Sequence, residues 1–212
     1  MSNTLSKRGP GRPRKGSDGN FINTRQALIK AGLAALTEKG YSYTGIEEIL
    51  RAANVPKGSF YHYFGSKEAF GEVLIEAYNA YFMKKLSRWF LDDSMSPLQR
   101  LQAFVDDAKQ GMQKFAFRRG CLVGNLGQEM AALPDGFRVL LQEVFLEWEK
   151  RTARLLQEAA TVGEISPNLN TQKMARFFWI GWEGAVLRAK LEESAAPLDL
   201  FAHTFISLVQ HS

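Results

Sequence analysis

A single cysteine, Cys121, directly follows Arg118, Arg119 and Gly120. A thiol beside two arginines, at the start of a helix after Gly120, has its thiolate favoured by positive charge and by the helix N-terminus. A thiolate adds to activated alkenes, and an arginine such as Arg118 holds a carboxylate through paired hydrogen bonds. An α,β-unsaturated acid carries both groups. A lone cysteine is also a common small core residue, and the local residues leave that reading open. A second cluster carries different chemistry. In Lys57-Gly58-Ser59-Phe60-Tyr61-His62-Tyr63-Phe64, Phe60 and Phe64 are four apart and face inward. Lys57, Ser59, Tyr61, His62 and Tyr63 are then left outward, with groups suited to phosphate oxygens and base edges. Gly58 lets a backbone approach a duplex closely.

Both clusters need helices to place them. Leu28, Ala31 and Ala35 recur at helical spacing and stop at Gly40, a helix C-cap. Thr44 and Glu47 form a capping box ahead of an Ile46, Ile49, Leu50, Ala53 stripe. Asn54-Val55-Pro56 breaks that helix, a short one runs from Lys57 to Phe64, and Gly65-Ser66 precedes a long one carrying Phe70, Val73, Leu74, Ala77, Tyr78, Tyr81 and Phe82. Two short helices across a tight turn, inside a three-helix unit, describe a helix-turn-helix. Downstream, Leu98–Met112 is amphipathic, Arg118–Leu133 reads as a loop plus a short helix, and Pro134 opens a further helix. Thr171–Glu193 and Pro197–Gln210 supply two more. The expected fold class is all-α.

Charge is placed unevenly. Residues 1–70 hold 11 Lys and Arg against 5 Asp and Glu, and the remaining residues hold 16 against 17, so the excess lies in the first third. That asymmetry fits phosphate binding or a solubilising face. Residues 1–20 read as a disordered basic arm. Within it Pro10-Gly11-Arg12-Pro13-Arg14-Lys15 resembles an AT-hook, whose extended arginines enter a narrow minor groove; a plain polybasic tail is the alternative. One cysteine excludes an internal disulfide framework. No apolar run is long enough to span a membrane, so a cytoplasmic protein without membrane contact is expected.

The run Val55–Phe64, followed by Ser66-Lys67-Glu68 and preceded by Gly40-Tyr41 and Thr44-Gly45-Ile46, resembles the DNA-reading segment of TetR-family repressors. The resemblance implies about nine helices and a homodimer formed largely by the last two. It implies that Thr44, Tyr61, His62 and Lys67 meet mainly phosphates of an operator, and that Lys57, Gly58 and Ser59 sit nearest the bases. Phe177, Phe178, Trp179, Phe201 and Phe205 offer apolar surface for the dimer. Arg118–Leu126, with Phe178–Ala185 and Arg188-Ala189-Lys190, resembles the acrylate-responsive branch of the family, and Gly120-Cys121-Leu122 is shared with an electrophile-responsive branch.

The expected organisation is therefore an arm over 1–20, a helix-turn-helix domain over 21–67, and an effector-binding and dimerisation domain over 68–212. The partners are double-stranded operator DNA, a small effector and a second copy of the chain. Effector candidates are Cys121 and Arg118, then Trp182 and Glu183 on a helix whose flanking glycines leave space, and Trp148, Tyr78 and Gln128 as walls. No cofactor or metal is expected. Two other classes compete. A thiol enzyme using Cys121 needs a base, and the histidines are His62, His203 and His211. An architectural DNA-binding protein does not require so large an apolar C-terminal body.

Overall fold

The computed structural model describes residues 18–211, with side chains from residue 23. The described residues form nine helices and no strand: α1 Asp18–Lys39, α2 Ile46–Ala53, α3 Lys57–Phe64, α4 Lys67–Phe90, α5 Pro97–Lys114, α6 Leu122–Gln128, α7 Asp135–Thr161, α8 Thr171–Glu192 and α9 Ala196–Gln210. Helix α1 begins at Asp18, inside the segment expected to be arm. Arg12, Arg14 and Lys15 lie outside the described residues.

The breaks follow from local chemistry. Gly40 ends α1 at φ +81°, a left-handed conformation that costs glycine little. Asn54 closes α2 at φ 53°, and its N–H bonds back to Arg51. Ser66 caps α4 by accepting from the Ala69 N–H. One expected cap differs. Gly45, not Thr44, is the N-cap of α2, and no side chain caps it. The Thr44 hydroxyl instead donates to the Gly40 carbonyl at 2.6 Å and is buried, which satisfies one of the carbonyls left open at the end of α1.

Helices α1–α3 pack around Leu28, Leu36, Ile49, Phe60 and Phe64, and α4 carries that core into a bundle with α5, α7, α8 and α9. The bundle centre is aromatic. Phe82 stacks on Trp148 with centroids 4.1 Å apart, and Trp148 meets Trp179 at 4.9 Å. Polar atoms there are paired: Trp148 Nε1 donates to Asn79, and Trp179 Nε1 donates to the Thr152 hydroxyl. Truncating such a buried ring costs about 3–5 kcal/mol, so Trp148 is a structural pillar rather than the pocket wall expected from sequence.

The expected dimer surface is also revised. Phe178, Trp179 and Phe205 are core residues of one protomer. The outward stripe of α8 is Phe177, Ile180, Leu187 and Leu191, at helical spacing around the exposed Gly184, and α9 exposes Leu200 and Leu208. Aromatic type alone does not separate the two faces of α8; phase along the helix does.

Candidate DNA interface and effector cavity

Helix α3 presents the residues expected to read DNA. Lys57 begins it and forms an exposed ion pair with Glu47 at 2.8 Å. Tyr61 and His62 are exposed and Ser59 is half-buried. Tyr63 is half-buried against the core edge, so it is not the outward residue expected from sequence. A Cβ at Gly58 would meet nothing within 4 Å, so the interior of the protein does not demand glycine there. Lys67 donates to the Tyr41 carbonyl at 3.0 Å and lies over the Tyr41 ring, and partial burial lowers its pKa. Thr44 is enclosed. In this conformation Lys57, Gly58, Ser59, Tyr61 and His62 share the accessible face, while Thr44 and Lys67 brace the turn behind it.

A cavity of about 880 Å³ lies between this domain and the bundle. Its walls come from α1 and α2 on one side, from Tyr78, Phe82 and Lys85 of α4, from Met112 of α5, and from Trp182 and Val186 of α8. Phe115, Arg119, Gly120 and Cys121 complete it. Arg119 lies over the Phe115 ring at 4.1 Å and reaches Glu38 at 3.8 Å. Arg118 is exposed and takes no part in the lining. The arginine at the cavity is thus Arg119, one residue from the one expected.

Cys121 is buried at the N-cap of α6. Tyr78, Gly124 and Glu183 surround its thiol: Tyr78 and the Gly124 backbone favour the thiolate, and Glu183 opposes it. Burial, then the nearby Glu183 charge, pushes the Cys121 thiol well above its ordinary pKa. The surroundings thus oppose the expected thiolate: desolvation is the largest cause, and neither arginine contributes. Burial also raises Glu183 to about 7. The residue keeps some exposure overall, but its Oε1 is buried and has no hydrogen-bond partner.

The glycines beside Trp182 and Glu183 do not open a ligand space. The Phe201 ring fills the space at Gly181, and Gly184 faces outward. Room for Glu183 comes from Gly124 on the facing helix, where a Cβ would overlap Oε2. Gln128 is exposed and bonds back to the Gly124 carbonyl, away from the cavity. Of the expected effector residues, Cys121, Tyr78 and Trp182 line the cavity, Glu183 touches the thiol without lining it, and Arg118, Trp148 and Gln128 do neither.

Sequence reasoning missed the contacts joining this segment to the DNA-reading domain. The Gly120 N–H donates to the Thr37 carbonyl, and the Asn125 amide donates to the Leu36 and Thr37 carbonyls. The Glu129 carboxylate accepts the backbone N–H groups of Tyr41 and Ser42. Lys190 reaches the Glu38 carbonyl and Asn125. These partners are 65 to 152 residues apart, and no local pattern signals them.

Two family models cover the helices just described. Bacterial regulatory proteins of the tetR family match residues 28–72, and the tetracyclin repressor-like C-terminal domain matches residues 97–205. The chain belongs to the TetR family. It is 56% identical to the transcriptional regulator AcuR of Cereibacter sphaeroides, across 92% of this chain and 88% of that protein. The crystal structure of regulatory protein TetR from Rhodobacter sphaeroides superposes with a TM-score of 0.86 at 56% identity, covering 87% of this chain and 97% of that one. The reduced form of E. coli NemR superposes with a TM-score of 0.76 at 26% identity, covering 86% and 95%. As a TetR-family member the chain is a DNA-binding transcriptional regulator that works as a homodimer with operator DNA and a small effector. No described helix is long and apolar enough to cross a membrane.

Proposed function

We propose that this chain is a cytoplasmic repressor released from its operator when an electrophilic or α,β-unsaturated acid, acrylate among them, enters the cavity and engages Cys121. The observation that carries this reading is the position of Cys121: its thiol lines the cavity, and its own helix is tied to the end of α1. Arg119 supplies the positive charge for a carboxylate. The cavity exceeds the volume of a three-carbon acid, so longer members of the class fit as well.

Release follows from the links described above. A molecule bonded to Cys121 displaces the start of α6, and Gly120, Asn125 and Glu129 carry that displacement to Leu36–Ser42, which anchors α2 and the reading helix α3. A shift of a few ångströms there changes the separation of the two α3 helices in the dimer, and half-site spacing is a geometric requirement. Cys121 acts as a sensor, not as a turnover nucleophile. The groups around its thiol are Tyr78, Gly124 and Glu183, and among the described residues no histidine lines the cavity. The test is operator release across small electrophiles and unsaturated acids, with wild type and Cys121→Ser in parallel. Release of wild type by these compounds, and not by their saturated analogues, is expected.

A further inference from the structure

The proposed role of Cys121 leaves a chemical problem. A buried thiol that stays protonated is a poor nucleophile, because the thiolate is the reactive form. Three observations around it answer that problem. The Glu183 carboxylate packs beside the cysteine, since its Oε2 and the Cys121 Cβ both lie against Gly124. Glu183 is absent from the cavity lining while Cys121 and Tyr78 belong to it, so the sulfur has a base on one side and the ligand space on another. The second carboxylate oxygen, Oε1, is buried without a partner beside the one cysteine, an arrangement that costs stability.

We propose that Glu183 is the general base for addition of Cys121 to an activated alkene. The proposal rests on the reading of Cys121 as the effector-sensing thiol. As the sulfur attacks the β-carbon, the S–H proton passes to the Glu183 carboxylate and a C–S bond forms. The alkene π electrons move to the α-carbon, which takes a proton from solvent in the open cavity, and Glu183 gives its own proton up to solvent afterwards. The sum is addition of S–H across C=C, with no leaving group and no oxidant. Tyr78 and the Gly124 backbone lie against the sulfur, and both stabilise the developing thiolate. Glu183, lifted by burial to about 7, is poised to accept and release a proton near neutral pH. The titratable groups against it are Cys121, ahead of α6, and Tyr78, on α4.

The experiment follows acrylate adduct formation on the full-length protein by intact mass, from acid to mildly alkaline pH, for wild type, Glu183→Gln, Glu183→Asp and Cys121→Ser. Wild type gains one acrylate, with a rate that rises as Glu183 loses its proton. Glu183→Gln reacts about a hundredfold more slowly at neutral pH, and its rate climbs only where the thiol itself ionises. Glu183→Asp recovers part of the rate, which a general loss of fold would not allow. The opposite sign is the overturning result. If Glu183 merely repels a thiolate, the Gln variant has a lower thiol pKa and reacts as fast as wild type or faster. Adduct on Cys121→Ser, or none on wild type, overturns the sensor reading itself.

Discussion

The carboxylate of Glu129 accepts the backbone N–H of Tyr41 at 3.1 Å and that of Ser42 at 2.7 Å, so the end of α6 holds the turn between α1 and α2. The turn is shaped to receive it. Gly40, just before, has no Cβ, and one placed there would overlap Glu129 Oε1. A single carboxylate thereby joins the effector segment to the base of the DNA-reading domain.

Glu129→Ala removes two charge-assisted acceptors and leaves two N–H groups to find others. A loss of about 2 kcal/mol in stability is expected, read by denaturant unfolding. Its effect on coupling is the sharper test. The ratio of operator affinity without and with saturating effector should shrink at least several-fold, within the usual span of coupling free energies. An unchanged ratio would remove Glu129 from the route.

Gly58→Ala separates folding from reading. Nothing in the chain opposes a Cβ at that position of α3, and alanine is the better helix former, so stability should hold or rise by up to about 1 kcal/mol. Operator affinity should fall nonetheless, because the methyl group occupies the space a backbone or base would take. Calorimetric melting beside fluorescence anisotropy on operator DNA measures both.

Lys57→Ala should weaken operator binding and reduce the slope of log affinity against log salt by about 0.9 if Lys57 neutralises one phosphate. If it reads a base instead, the slope stays while discrimination between operator and unrelated DNA collapses. Deleting residues 1–17, which stops short of α1 at Asp18, should also flatten the slope if Arg12, Arg14 and Lys15 meet DNA. Anisotropy titrations at several salt concentrations distinguish these outcomes.

Glu183 makes stability depend on pH in a defined direction. Its folded pKa, about 7, lies above the ordinary carboxylate value of 4.5, so the folded state binds the proton more tightly. Stability from this group is complete in acid and is lost as pH rises from about 4.5 to about 7. Glu183→Gln lacks the loss. Its advantage over wild type should grow across that window to at most about 3 kcal/mol and then level off, as followed by melting temperature against pH.

Much of this was legible in the sequence, for reasons that differ by element. Lys57–Phe64 was readable because its bounds are set locally, by Pro56 at one end and Gly65 at the other, and because Phe60 and Phe64 declare its buried side. The nine-helix frame follows from apolar periodicity in the same way. The site around Cys121 was readable only in part. Sequence placed Tyr78, Cys121, Trp182 and Glu183 among the candidates, yet the burial that raises the thiol's pKa is a tertiary property that local residues do not show. It chose Arg118 over its neighbour Arg119 because a short loop carries no periodicity to say which arginine turns inward. Trp148 was a candidate wall and is core, because an indole at helical spacing looks the same in both settings. Asn125, Glu129 and Lys190 act through backbone groups far along the chain, and these leave no trace in local pattern.

The central claim is that Cys121 connects the cavity to the operator. Its most direct test is dissociation of operator DNA on addition of acrylate to wild type and to Cys121→Ser, followed by anisotropy at fixed salt. Release of wild type together with retention by Cys121→Ser is the predicted result. Equal release of both proteins at the same acrylate concentration would contradict the claim.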